Sequence, residues 1–232
     1  MLIEVGLSSK KIYEQEFEVL LIQQTKDFYR NESNIFITGN SCNSFLVKAN
    51  LRFQEEQDRV NSYLHPSSMD KVIGEFLHEY IEVHATTLLT MESSGLVNMI
   101  NQEKFDELKL MFHLFKRCPA SLELFKKHLK AYITEEGMKL VKNEQLESEQ
   151  LVKKVLEFRA KMMELLHKSL DRDSNMDITI KGAFEMFVNE NDRTARSLVA
   201  HLDENFKKDF KNNSEVEISE KIDKIIQIFR YL

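Results

Sequence analysis

Proline and glycine are scarce, with 2 and 6 among 232 residues. So few turn-forming residues exclude a hairpin-rich β fold, and Leu, Glu, Lys and Met, all good helix formers, are abundant. Cys42 and Cys118 are the only cysteines. Neither sits in a C-x-x-C pair and two thiols give no framework, so free thiols in a reducing compartment are expected. Basic charge is not in excess: 32 Lys and Arg against 38 Asp and Glu leave a net charge of −6, which offers nucleic acid no footprint. No apolar run reaches the length of a membrane span, and no charged-then-apolar leader opens the chain. These absences point to an all-α protein of the cytoplasm or nucleus, its mixed charges on solvated faces. The length allows a real core, as one elongated domain or two stacked units.

Helical spacing runs along almost the whole chain. A first helix from about Ser9 to Ile37 places Tyr13, Phe17, Leu20, Leu21, Phe28, Ile35 and Phe36 near one stripe. Gly39 and Asn40 break it, and Ser41 or Asn43 can cap the next helix. That helix buries Phe45, Leu46, Ala49, Phe53, Val60 and Leu64 and turns Arg52, Glu55, Glu56, Asp58 and Arg59 to solvent. Pro66, Ser67 and Ser68 stop and restart the chain. A third helix packs through Val72, Ile73, Phe76, Leu77, Tyr80, Ile81 and Leu88, and a short apolar piece runs from Leu96 to Ile100. A helix from about Lys104 to Arg117 ends at Pro119, and the next fades near Gly137. The polar stretch from Lys142 to Glu149 reads as a linker. A long helix follows, broken by turn-formers at Asp171 to Asn175. Three shorter helices carry Phe184 and Phe187, then Leu198, Leu202 and Phe206, then Ile218, Ile222, Ile225, Ile226 and Phe229. No short repeat period emerges. The expectation is two helical repeats, residues 1–118 and 119–232, stacked along a shared apolar seam.

Catalytic and metal chemistry finds little foothold. Glu75–His78 and Glu164–His167 have the Glu-x-x-His spacing of a di-metal helical bundle. With this glutamate content and seven histidines, roughly 0.8 such pairs are expected by chance, so two are not unusual. Lys71, Glu75, His78, Glu79 and Glu82 share a polar stripe facing solvent, as do Glu164, His167, Lys168 and Asp171, and a core metal cannot be held from there. His65, His84, His113, His128 and His201 show no zinc spacing; they read as surface or satisfied core histidines. Gly74 and Gly182 stand alone inside helical patterns, where they permit close helix approach or weaken the helix. No G-x-S-x-G element and no aspartate-rich box is present. The acidic run Glu55, Glu56, Asp58 reads as a solvated face. No catalytic residue, metal ligand or cofactor is therefore expected.

The run Tyr13, Glu14, Phe17, Glu18, Thr25, Phe28, Tyr29, Glu32, Ser33, Phe36 resembles the start of the second helical repeat of a cullin, the scaffold of multisubunit RING ubiquitin ligases. The likeness continues in order through Phe53-Gln54-Glu55-Glu56 with Arg59-Val60 and Tyr63-Leu64-His65. It goes on through Met91-Glu92-Ser93-Ser94-Gly95-Leu96, Asp106-Glu107-Leu108 with Met111 and Leu114-Phe115, Glu136-Gly137, Phe184-Glu185 with Phe187, and Ile228 to Leu232. Tyr63 to Ser68 and Thr134 to Val141 lean towards the SCF-type cullins with Skp1 and F-box adaptors. Met91 to Val97 leans towards the cullins with BTB adaptors, and the first lean is favoured. The resemblance implies a non-catalytic stalk made of the second and third repeats. It further implies that the adaptor (Skp1/F-box or BTB) and the RING protein are held by flanking regions that this chain resembles in no part. A second reading is an unrelated α-solenoid adaptor whose concave face binds peptides.

Overall fold

The structure, a computed structural model, describes residues 10–190 and 192–209. The expected stripe from Ile218 to Phe229, and the side chains of Leu198, Leu202 and Phe206, lie outside the described residues. Among those described, all regular structure is helical. Two compact units divide the chain, residues 1–125 and 126–232.

In the first unit, α1 combines an α-helical turn Lys11–Tyr13, a π-helical stretch Glu14–Glu18 and an α-helix Val19–Gly39. Asn40 is extended, and Ser41 caps α2 (Cys42–Tyr63) by accepting from the Ser44 N–H at 3.2 Å. After a 3₁₀ turn at Pro66–Ser68, α3 (Met69–Leu77) passes into a second π-helical stretch, His78–Glu82. Short helices α4 (Ala85–Thr90) and α5 (Leu96–Asn101) lead to α6 (Phe105–Phe115). The third expected helix is thus three pieces, because a π-helical stretch and then a two-residue turn at Val83 and His84 interrupt it. The core gathers where α1, α2 and α3 meet. Phe76 lies 4.8 Å from Tyr29, 5.3 Å from Tyr80 and 6.1 Å from Phe53, ring centre to ring centre. Each such buried ring contributes about 1.5–3 kcal/mol by leaving water.

The inward face of α1 differs from the expected stripe. Leu20, Phe28 and Ile35 are 60%, 52% and 67% exposed. The buried positions are Tyr13, Glu18, Thr25, Tyr29 and Ser33. Two stripes of helical spacing exist on α1. Hydrophobicity favours the first, but α2 and α3 present hydrogen-bonding groups that only the second can satisfy.

α7 (Pro119–Val141) crosses from one unit into the other. Pro119, expected as a stop, opens this helix instead, at a position whose N–H has no helical partner to lose. Gly137 does not end it. A methyl group there would overlap the Phe187 ring, so glycine lets a phenylalanine close onto the helix backbone. Gly74 and Gly182 serve no such approach: a β-carbon at Gly74 would meet nothing within 4 Å, and one at Gly182 would meet only the Lys130 Nζ, at 3.9 Å. The second unit adds α8 (Ser148–Lys168), α9 (Ser174–Val188) and α10 (Asp192–Asp209), which lies along α8. The linker expected from Lys142 to Glu149 is the loop 142–147, and Glu147 and Gln150 form a capping box at the start of α8. Arg193 ties this loop down by donating to the carbonyls of Val141, Asn143 and Leu146 at 3.0, 2.7 and 2.5 Å.

Candidate functional site

The two Glu-x-x-His pairs fall in different units. His78 is exposed and sits 3.2 Å from Glu82, while Glu75 faces Lys26 at 3.5 Å. Glu164 pairs with Lys168 at 2.6 Å on the exposed face of α8. Among the described residues no group of three His, Cys, Asp or Glu could hold a metal ion. No helix there is long and apolar enough to cross a membrane.

Two carboxylates assigned to solvent faces are buried instead. Glu56 is 1% exposed and Glu79 is 2% exposed. Glu79 sits in the π-helical stretch of α3 seven residues, two turns, beyond the buried Val72, and so lies on the inward side of the helix. Glu56 lies on the side of α2 that meets α1. Both lie at helical spacing from buried apolar residues, Glu56 between Phe53 and Val60 and Glu79 beyond Val72 and Phe76, and a reading that turns every charged residue outward misses them.

These carboxylates belong to a chain of hydrogen bonds that fastens α1 along its length. The Tyr13 hydroxyl donates to Ser68 Oγ at 2.8 Å, Ser68 donates to Glu18 at 2.7 Å, and Lys71 donates to the same carboxylate at 2.6 Å. Tyr29 donates to Glu56 at 2.5 Å, and Arg59 reaches Glu56 at 2.8 Å. Arg30 holds Glu79 through two bonds of 2.8 and 3.1 Å. Arg52 and Lys48 converge on Glu32 at 2.7 and 3.2 Å. Burial alone would raise the pKa of Glu18 and Glu32. The cations and hydroxyl beside them win, and both are lowered. Burial and the neighbouring Glu56 carboxylate raise the Tyr29 phenol, so it stays protonated and donates. A network satisfied in this way specifies one packing register and penalises slippage, since any orphaned buried charge is costly.

Ser33 and His84 form a nucleophile–base pair, with Ser33 Oγ 3.0 Å from His84 Nε2. Ser33 is 0% exposed and donates to the Glu79 carbonyl at 3.0 Å. A substrate cannot reach that hydroxyl, and its proton already has a carbonyl to hold it; the pair is a structural bond. Cys42 and Cys118 are free, buried thiols, pushed up by burial to about 12 and about 11, which keeps them protonated and unreactive.

His84 supplies a pH test. Burial lowers its pKa below the ordinary 6.5. The unfolded chain therefore takes up a proton before the folded one does. Its contribution is intact above pH 6.5 and is lost as pH falls towards the folded value. Urea unfolding at pH 7.5 and 5.5 should show a larger acid loss for the wild type than for His84→Gln. Equal losses would show that His84 takes up its proton alike in the folded and unfolded states.

Comparison with known proteins bears on the whole chain. The family model described as the Cullin alpha solenoid domain matches residues 1–232. The chain is similar to Cullin-3 of Dictyostelium discoideum, at 34% identity over 234 residues, 100% of this chain and 30% of that protein. It is similar to Cullin-3A of Arabidopsis thaliana at 29% identity, over 100% of this chain and 32% of that protein. Similarity to Cullin-2 of Arabidopsis thaliana is 25% over 80% of this chain and 27% of that protein. The chain thus spans about a third of the length of these relatives. The lean towards the SCF-type subgroup is not supported, and the Cullin-3 matches point the other way. The residues behind that lean serve local geometry. His65 accepts from the Ser67 N–H at 3.2 Å and Pro66 opens the 3₁₀ turn, demands that any chain turning here would meet similarly.

Proposed function

Because the chain belongs to the cullin family, we propose that it is a non-catalytic stalk segment of a ubiquitin ligase scaffold, of the type that uses BTB adaptors. Its contribution is distance: a stiff spacer keeps substrate and the ubiquitin-carrying enzyme at a defined effective concentration, which a floppy one would dilute. The observation that carries this reading is the fastening of α1. Its buried polar groups are spent on one another and on neighbouring helices, from Glu18–Lys71 to Glu32–Arg52, so the chemistry favours a fixed shape over a reactive cleft. The Cullin-3 likeness over the whole chain supports the adaptor type. A match of the family model to every residue disfavours an unrelated solenoid adaptor. The same proposal assigns the protein to the cytoplasm or nucleus.

Adaptor and RING subunits are, on this proposal, held by regions beyond this segment. The 232-residue chain should therefore bind neither in a pull-down, whereas a full-length protein containing it should bind both. Tight, saturable capture of a BTB protein, Skp1 or a RING subunit by this chain alone would overturn the assignment.

A further inference from the structure

We draw no further inference here: the strongest candidate, the exposed apolar face of α1 formed by Leu20, Phe28 and Ile35, carries nothing because nothing in the structure shows what covers it.

Discussion

Phe76→Ala should destabilise the first unit by about 3–5 kcal/mol, the range for removing a large ring from a packed core. Phe76 is 0% exposed and is ringed by Tyr29, Tyr80 and Phe53 at 4.8, 5.3 and 6.1 Å. The loss combines transfer of the ring with a cavity that three stiff aromatic neighbours cannot collapse into. Phe28→Ala is the control, since that ring is 52% exposed and should cost no more than about 0.5 kcal/mol. Tyr29→Phe should fall between them at about 1.5–3 kcal/mol, through the lost bond to the Glu56 carboxylate. Native-state hydrogen exchange at α2 and α3 reads the first unit separately from the second. If Phe76→Ala and Phe28→Ala accelerated exchange equally, the core described around Phe76 would be wrong.

Phe76 and Phe28 also mark how much of this protein is legible in its sequence. Both are phenylalanines at helical spacing, and spacing alone places both inside. Phe76 is buried, because the neighbouring turns offer Val72 and Tyr80, which are buried with it. Phe28 is not, because α1 turns Thr25, Tyr29 and Ser33 inward to meet Glu56, Glu79 and His84. Helix type, the Gly39–Asn40 break, the 142–147 linker and most of the core of α2, α3 and α6 follow from local pattern. Polar complementarity between helices does not, since it depends on which partner a residue will meet. Nor do the π-helical stretches, whose extra residue is a response to packing. Glu79 shows the first of these: three residues from the buried Phe76, it turns inward because Arg30 of α1 is there to hold it.

Gly95→Ala should cost about 3 kcal/mol, the upper part of the range for overpacking a tight site. A β-carbon there would lie 2.6 Å from the Met91 carbonyl oxygen, 2.7 Å from that of Leu89 and 2.9 Å from the Met91 nitrogen. All three obstacles are backbone, so no side chain can rotate away. The residue's φ of −80° is open to any amino acid, so the demand is for space and involves no unusual dihedral angle. The next residue back explains why the space matters. Ser94 Oγ accepts from the Cys42 N–H at 3.0 Å, capping α2 from a distant loop, and Leu96 beyond the glycine is 1% exposed. A shift at Gly95 would pull both away. Ser94→Ala removes the bond from the Cys42 N–H and a weaker one to the Met91 sulfur, and should cost about 1 kcal/mol. Gly74→Ala, in an exposed helical position with nothing within 4 Å, should stabilise by about 0.5–1 kcal/mol through helix propensity. Urea unfolding of the three variants should rank them in that order, with exchange at the first amides of α2 fastest in Gly95→Ala. A Gly95→Ala chain as stable as Ser94→Ala would mean that the 91–96 turn yields. The Met91-to-Leu96 signature would then need an explanation other than the close packing of this turn beneath α2.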